Sequence, residues 1–502
     1  MTIRCRIAPS PTGPLHIGTA RTALTNFLFA RHVGGTFVLR LEDTDVARSN
    51  LAFERDILEG LHWLGLDWDE GPEVAGQPAR GPYGPYRQMA RLPLYAEAAA
   101  RLLAEDRAYP CYCTPEELAA DRAAQEAARE PARYVGRCAS LTSGERQARE
   151  AEGRRAAIRF RIPPAEVVAF DDLVRGPVEF STDALGGDLV IVRADGTPLY
   201  HFSVCVDDAA MAISHVIRGE DHLSNTPKHI LLFRALGAPV PAFGHLPLIL
   251  NPDRTKMSKR KSQTALADYR AQGFVREALV NHLALLGWAS GTEEEVFGLD
   301  ELIARFDLTR VGRSGAVFDR ERLEWLNGQW IRRLPEDELV ARLAPFLAAD
   351  LEARRAAGHV IRMPSEADLA AVVPLVRERL PTLAAIGPLV DFLFIEDLEL
   401  DPRMLIPRRW DPATTLDALA AAREVIADQG QVAFEADELE PRLRALADAR
   451  GWKPGDLFMA IRVAATGRAV TPPLFDSLVA LGYERTLERL DAAQRTLGKA
   501  ER

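Results

Sequence analysis

Two short segments, 240 positions apart, constrain any fold that this chain of 502 residues can adopt. Residues 16–19 read His-Ile-Gly-Thr and follow a predicted strand, residues 2–8, through a turn rich in proline. A predicted helix begins there, and a helix start offers free backbone N–H groups and a positive dipole end, which suit phosphate oxygens. Residues 256–260 read Lys-Met-Ser-Lys-Arg and follow the apolar run 246–250. A fold that joins both segments would therefore hold a triphosphate from two sides.

The first 85 residues alternate strand and helix in the order of a β-α-β unit. Apolar residues recur at helical spacing within residues 17–28, a Gly-Gly pair ends that helix, and residues 36–41 form the next predicted strand. Right-handed crossovers between parallel strands build a doubly wound sheet, which binds ligands beyond the carboxyl ends of its strands. Arg6, Ser10 and Glu42 lie at or just past such ends.

The rest of the chain adds an insertion and a helical half. Residues 86–190 combine helices with short strands, and strands are then predicted at residues 188–192, 200–206 and 213–218. Beyond residue 262 the pattern predicts helices only. The expected fold class is therefore α/β: a doubly wound, Rossmann-type parallel sheet with an α+β insertion, followed by an all-α C-terminal half.

Composition excludes some classes of protein and singles out one loop. No apolar run reaches the ~18–20 residues of a membrane span and no signal peptide opens the chain, so a cytoplasmic enzyme is expected. The net charge of −10 argues mildly against nucleic-acid binding, although a basic face can coexist with an acidic remainder.

Six of the 62 basic residues are lysines, and three of them fall within residues 256–261, the lysine loop. A G+C-biased genome explains the preference for arginine but not the lysines of this loop, where a compact, mobile charge suits a reacting phosphate.

Three of the five cysteines are clustered, which indicates a metal site. Cys111, Cys113 and Cys138 lie within 28 residues, and clustered cysteines in a cytoplasmic enzyme more often hold a metal than form disulfides. Unmetallated thiols are the alternative. Cys5 and Cys205 lie within predicted strands and are expected to be small core residues.

The two segments resemble the His-Ile-Gly-His and Lys-Met-Ser-Lys-Ser motifs of class I aminoacyl-tRNA synthetases. Three further stretches narrow the resemblance to the bacterial glutamyl-tRNA synthetases: Arg-Ile-Ala-Pro-Ser-Pro-Thr-Gly at residues 6–13, Leu-Glu-Asp-Thr-Asp at 41–45 and Val-Ile-Arg-Gly-Glu-Asp-His at 216–222. One departure is Thr19, which replaces the second histidine, so a phosphate contact there would come from its hydroxyl or from the backbone.

The resemblance implies an enzyme that ligates glutamate to tRNA(Glu) with ATP and magnesium. ATP binding is implied for His16, Gly18, Thr19 and Lys259. Catalytic roles are implied for His16, Lys256 and Lys259. Glutamate binding is implied for Arg6, Ser10, Glu42, Tyr200 and Arg218. The alternatives are an ordinary histidine at a helix start, a solvated lysine loop, and an internal ion pair that involves Arg218 and Glu42.

The resemblance also covers the cysteine segment and the helical half. Cysteines in this arrangement resemble the zinc segment of many glutamyl-tRNA synthetases, with Tyr134 as the best candidate for the fourth ligand of a structural zinc. Arg379 falls where family members that discriminate between tRNAs carry an arginine that reads the third anticodon base. A discriminating enzyme that largely ignores glutamine tRNA is therefore expected, and a solvated surface arginine is the alternative.

The resemblance divides the chain into six parts. These are, in chain order, the first half of the catalytic domain (1–85), an acceptor-binding insertion with the zinc segment (86–190), the second half of the catalytic domain (191–250), a stem-contact region with the lysine loop (251–320) and two helical anticodon-binding subdomains (321–390 and 391–502). A glutaminyl-tRNA synthetase would carry an all-β anticodon module, and the short paralogue that acts on queuosine-modified tRNA lacks the helical half. A non-catalytic relative would not need both motifs intact. The expected partners are tRNA(Glu), glutamate and ATP, with no membrane, and the chain is expected to be a monomer.

Overall fold

The computed structural model describes residues 2–74, 76–257 and 264–500. The chain divides into two compact units, residues 1–269 with 276–322 and residues 270–275 with 323–502. The elements that begin in the first unit are β1 (Arg4–Ile7), α1 (Ile17–His32), β2 (Thr36–Leu39), α2 (Leu51–Trp63), α3 (Leu92–Ala104), β3 (Ala108–Cys111), α4 (Pro115–Ala127), α5 (Ser143–Ala151), β4 (Ala157–Phe160), β5 (Val167–Asp172), β6 (Gly176–Ser181), β7 (Leu189–Val192), α6 (Tyr200–Ala210), β8 (His215–Gly219), α7 (Thr226–Ala235), β9 (Ala242–Leu246), β10 (Ile249–Leu250), α8 (Leu266–Ala271), α9 (Arg276–Leu285), α10 (Leu299–Arg305), β11 (Ala316–Val317) and α11 (Arg320–Arg333). The second unit continues with α12 (Glu336–Ala356), α13 (Glu366–Val376), α14 (Ile386–Val390), α15 (Pro402–Leu405), α16 (Pro412–Gln429), α17 (Ala436–Ala449), α18 (Pro454–Thr466), α19 (Leu474–Leu481) and α20 (Tyr483–Ala500).

A parallel sheet of four strands, in the order β2-β1-β8-β9, forms the framework of the first unit. β1 and β2 pair in register, from Arg4 opposite Thr36 to Ile7 opposite Leu39. Each of these strands ends in three buried residues, as expected for a parallel sheet that is covered by helices. The predicted doubly wound class is confirmed, and the carboxyl ends of all four strands meet at one edge.

The prediction of a strand at residues 200–206 is wrong, because this segment lies in the helix α6. Its aromatic and β-branched residues favour a strand locally, but all seven residues from Phe202 to Asp208 are buried. A segment enclosed on every side lacks the one-sided pattern that distinguishes a strand from a helix. Cys205 therefore lies on a helix and Cys5 on β1, and both are buried as expected.

The insertion and the C-terminal half have the predicted character, with one exception. The insertion combines helices with two antiparallel sheets, β3-β4-β7 and β5-β6. The prediction of helices alone beyond residue 262 is wrong at β11, which pairs with β10 over two residues, too few to leave a periodic pattern. In the second unit the regular elements of the described residues are helices, apart from one bridge between Ile361 and Ile395. No helix in the described part of the chain is long and apolar enough to cross a membrane.

Candidate active site and metal centre

A cavity of about 750 Å³ opens at the carboxyl ends of the parallel strands. It is lined by all but one of the residues predicted to bind ATP or glutamate, or to act in catalysis. These are Arg6, Ser10, His16, Gly18, Thr19, Glu42, Tyr200, Arg218 and Lys256. The exception, Lys259, lies outside the described residues. The fold therefore joins the two segments that are 240 positions apart in the sequence.

His16 caps the N-terminus of α1 with its own side chain. Its Nδ1 accepts hydrogen bonds from the backbone N–H groups of Gly18 (3.1 Å) and Thr19 (3.3 Å). A neutral imidazole that accepts at Nδ1 carries its proton at Nε2, which lies 3.1 Å from the Thr19 hydroxyl oxygen. A Cβ at Gly18 would lie 3.1 Å from the His16 ring, so glycine leaves room for this cap. The imidazole donor and the threonine hydroxyl stand together at the helix start.

The lysine loop begins and ends at the same cavity. On one side, Lys256 forms a backbone bridge with Leu250, and its Nζ lies 3.6 Å from Asp221 Oδ2. On the other side, the Ile17 N–H donates to the Thr264 carbonyl at 2.8 Å. Both Lys256 and Thr264 line the cavity. The two ends of the loop are therefore held beside the first segment.

A buried network of charges holds Arg6 and Glu42. Arg6 Nε lies 3.2 Å from both carboxylate oxygens of Asp208. The fully buried Arg40 contacts Asp208 at 2.7 Å, Glu42 at 3.1 Å and Asp207 at 3.5 Å. Burial raises the pKa of Glu42 despite the opposing charge of Arg40, so a further cation in the cavity would favour its ionised form. The sequence analysis missed Arg40, Asp207 and Asp208, although two consecutive acidic residues in an apolar segment are a signal of buried ion pairs.

Arg218 has a different environment from Arg6. It is 5% exposed, and none of the described carboxylates lies within ion-pair distance of it. Its guanidinium instead donates to His245 at 3.2 Å and to His229 at 3.1 Å, and burial lowers its pKa. Arg218 therefore does not form the alternative ion pair with Glu42, whose carboxylate contacts Arg40 instead. Burial also raises the pKa of the neighbouring Tyr200 to about 12, which keeps that hydroxyl protonated.

The clustered cysteines converge with Tyr134 on one point. The Sγ atoms of Cys111, Cys113 and Cys138 all lie within 4.8 Å of one another. The Tyr134 hydroxyl oxygen lies 3.5 Å from the Sγ atoms of both Cys111 and Cys113. Three thiols and one phenol oxygen match the four donors of a tetrahedral zinc site.

Arg159 supports this centre from behind the donors. Its Nε donates to Cys111 Sγ at 3.2 Å, and its guanidinium lies 3.7 Å from the centroid of the Tyr134 ring. Burial raises the pKa of Cys111, but hydrogen bonds from Tyr134 and Arg159 outweigh it and leave that pKa below its ordinary value. Burial raises the pKa of Cys113 to about 12. The pKa values of these two thiols are therefore shifted in opposite directions.

Arg379 lies in the second unit, in a short 3-10 helix (Arg377–Arg379) that directly follows α13. Its side chain is exposed. Burial lowers the pKa of Arg462, and the charge of Arg379 lowers it further, so the two guanidinium groups are near one another. Like charges that a fold holds close together form a surface suited to an anion such as a nucleic acid.

Comparisons with known proteins cover both units. The sequence model of the tRNA synthetases class I (E and Q), catalytic domain, matches residues 2–325, and that of an anticodon binding domain matches residues 338–494. The chain is 45% identical over 496 residues to a glutamate–tRNA ligase of Symbiobacterium thermophilum, which covers 98% of this chain and 99% of that protein. It is 44% identical to a glutamate–tRNA ligase of Desulforudis audaxviator over 99% of this chain and 97% of that protein.

Two solved structures of glutamate–tRNA ligases also match this chain over nearly its whole length. The crystal structure of a glutamate tRNA ligase from Elizabethkingia meningosepticum, in complex with its amino acid, matches with a TM-score of 0.87 and 33% identity. A glutamate-tRNA synthetase from Elizabethkingia anophelis matches with a TM-score of 0.84 and 32% identity. Each match covers 99% of this chain and all of the other.

Proposed function

The chain belongs to the glutamate–tRNA ligases among the class I tRNA synthetases, and we propose how its own residues carry out that ligation. Glutamate first attacks the α-phosphate of ATP through its α-carboxylate, which forms glutamyl-adenylate and releases pyrophosphate. The adenylate then passes the glutamyl group to the 3′ end of tRNA(Glu) and releases AMP. The observation that carries this proposal is that a single cavity is lined by the start of α1, by residues on both sides of the lysine loop, and by Arg6 and Arg218.

Activation needs positioning and charge stabilisation more than covalent chemistry from the protein. His16 would donate from Nε2 to a phosphate oxygen, with Thr19 and the backbone at Gly18 completing the contact. Lys256 and Lys259 would stabilise the charge that develops on pyrophosphate. The group suited to a metal among the described residues consists of thiols, which suit zinc and not magnesium. Magnesium would enter bound to the phosphates of ATP, because protein sites for Mg²⁺ usually combine few side-chain ligands with substrate phosphates.

The two arginines would bind different acid groups of glutamate. Arg218 meets no described carboxylate, so its whole charge is available for the side-chain carboxylate, which stays ionised throughout the reaction. Arg6 is partly compensated by Asp208 and suits the α-carboxylate, whose charge is lost when the adenylate forms. Glu42 would accept the ammonium group, and Ser10 and Tyr200 would complete the pocket, as the resemblance implies. Glutamine would leave the charge of Arg218 unpaired and should be rejected.

The other parts would serve tRNA. Zinc, held by Cys111, Cys113, Cys138 and Tyr134, would crosslink the end of β3 to a later segment of the acceptor-binding insertion (86–190) without taking part in catalysis. Residues 321–390 and 391–502 would bind the anticodon, where Arg379 would stack on or hydrogen-bond to the third base. That base is C in glutamate tRNA and G in glutamine tRNA, so one arginine can separate them. We propose a monomer that acts in the cytoplasm.

Aminoacylation by the purified protein tests this proposal. With ATP and tRNA(Glu), glutamate should be attached to tRNA, with at most weak use of glutamine or aspartate. Changing Lys259 to Ala should lower the activation rate by roughly 10²–10³, the scale for the loss of one transition-state charge contact, with little change in tRNA affinity. An enzyme that prefers glutamine would contradict the proposed function. A Lys259→Ala variant with normal activity would contradict only the role of the loop.

A further inference from the structure

Among the described residues, the buried guanidinium of Arg218 donates hydrogen bonds only to uncharged acceptors. Its Nε donates to His245 Nε2 at 3.2 Å, one Nη donates to His229 Nδ1 at 3.1 Å, and the other donates to Thr226 Oγ1 at 2.9 Å. Thr226, His229 and His245 are all buried. A guanidinium only donates, so each imidazole nitrogen that faces Arg218 must be unprotonated. Both histidines are therefore neutral.

Each histidine is fixed in that tautomer by a group behind it. His245 Nδ1 lies 2.5 Å from Asp172 Oδ2 and must be the donor, because its Nε2 accepts from Arg218. Asp172 Oδ1 in turn accepts the backbone N–H groups of Val174 and Arg175, at 3.0 and 2.8 Å. The carboxylate is thus bonded on the far side of His245 from Arg218.

His229 is fixed in the same way. Its Nε2 carries the proton and donates to His201 Nδ1 at 3.0 Å. Protonation of either ring at the nitrogen that faces Arg218 would oppose two donors and two positive charges. The buried rings also resist protonation, because burial lowers the pKa of both His229 and His245.

Two other buried arginines near the cavity, Arg40 and Arg6, have carboxylate partners instead. Arg40 contacts the carboxylates of three residues, and Arg6 contacts Asp208. A carboxylate partner satisfies the N–H groups of a guanidinium and cancels its charge, whereas an imidazole satisfies the N–H groups and leaves the charge. Only the second arrangement makes the site strongly prefer a ligand carboxylate over the amide of the same shape.

We propose that His229 and His245 are positioning residues that hold Arg218 in place while leaving its charge uncompensated, and that this neutral shell sets the preference for an acidic over an amide amino acid. Asp172 and His201 fix the tautomers of the shell. The inference rests on the proposed function, in which Arg218 binds the side-chain carboxylate of glutamate.

Two matched pairs of variants test the charge of the shell separately from its shape. Asparagine at 229 presents an oxygen in the place of Nδ1, and aspartate adds only a negative charge, so His229→Asn is compared with His229→Asp. Glutamine at 245 presents an oxygen in the place of Nε2, so His245→Gln is compared with His245→Glu. The assay is ATP–pyrophosphate exchange with tRNA present, at varied glutamate and at varied glutamine. The KM for ATP and the thermal unfolding temperature report whether each variant is folded.

The charged member of each pair should raise the KM for glutamate by about 10- to 100-fold relative to its neutral partner, the range expected for loss of a charge-assisted contact. The preference for glutamate over glutamine should fall by a similar factor, with the KM for ATP little changed. The neutral member should retain the preference of the wild type. Equal preferences within a pair, in folded protein, would overturn the inference, and the second pair decides if one charged variant does not fold. A wild type that fails to activate glutamate would overturn the proposed function instead.

Discussion

Replacing Asp208 by Asn should destabilise the first unit far more than a carboxyl-to-amide change usually does. The Asp208 side chain is 3% exposed, and it faces two arginines, Arg40 at 2.7 Å and Arg6 at 3.2 Å. Burial tends to raise the pKa of Asp208, but the two arginines hold it below the ordinary value, so the carboxylate is ionised at neutral pH. Asparagine preserves the shape and removes the charge that both cations share.

The expected loss follows from what remains around each arginine. Removal of one partner from a buried ion pair costs about 3–5 kcal/mol. Arg40 keeps Glu42 and Asp207, whereas Arg6 loses the carboxylate that it contacts. Arg6 is therefore left without a carboxylate partner, whereas Arg40 is not. Because only one arginine loses its compensation, we expect the free energy of unfolding to fall by about 3 kcal/mol, the lower limit of that range.

Urea unfolding measures this loss when it is monitored by hydrogen exchange of the peptides that contain β1 and β2, which belong to the first unit. The matched control is Glu166→Gln, which removes a carboxylate that pairs with Arg234 at 2.8 Å, where the two side chains are 37% and 48% exposed. An exposed pair contributes at most about 1 kcal/mol. If Asp208→Asn costs no more than Glu166→Gln, the network does not depend on the charge of Asp208 and this reasoning is refuted.

Three further outcomes are expected. Elemental analysis of protein purified without added metal should find one zinc per chain, and Cys138→Ser should lower that content; sub-stoichiometric zinc with all three thiols freely titratable would favour unmetallated thiols. The wild type should charge glutamate tRNA and largely ignore glutamine tRNA, and Arg379→Gln should reduce this selectivity; equal charging of both transcripts by the wild type would refute discrimination. Burial lowers the pKa of His282 to about 4 from 6.5, so between these values the unfolded chain binds the proton and the folded chain does not. Stability should therefore fall as the pH is lowered from 7.5 to 5, by about 2 kcal/mol from this histidine, and His282→Asn should make the denaturation midpoint correspondingly less dependent on pH.

The candidate site could be predicted from the sequence to the extent that it depends on topology. Arg6, Ser10 and Glu42 each follow or end a strand, and parallel strands bring their carboxyl ends to one edge whatever their neighbours are. The cysteine cluster is likewise local, because Cys111 and Cys113 are two residues apart. Such features need only the order of the elements.

The helix α6 and its charges could not be predicted in this way. A segment buried on all sides carries no periodic pattern, so the prediction of a strand at residues 200–206 is wrong. The partners of Asp207 and Asp208 lie in β1, directly after β2, and in or just before α3, more than 100 residues earlier in the chain. Which arginine meets which carboxylate depends on how those elements pack, and residue types alone do not contain that information.

The role of a buried arginine likewise cannot be predicted from its residue type alone. Arg6, Arg40 and Arg218 are all buried, and each would be read from the sequence as a cation beside a strand end. Arg40 meets three carboxylates, Arg6 one and Arg218 none among the described residues. Because a buried charge is costly unless it is paired, Arg218 is the one of these three for which we propose that the substrate supplies the counter-ion. On this proposal, the order from Arg40 to Arg218 runs from structural support to ligand binding.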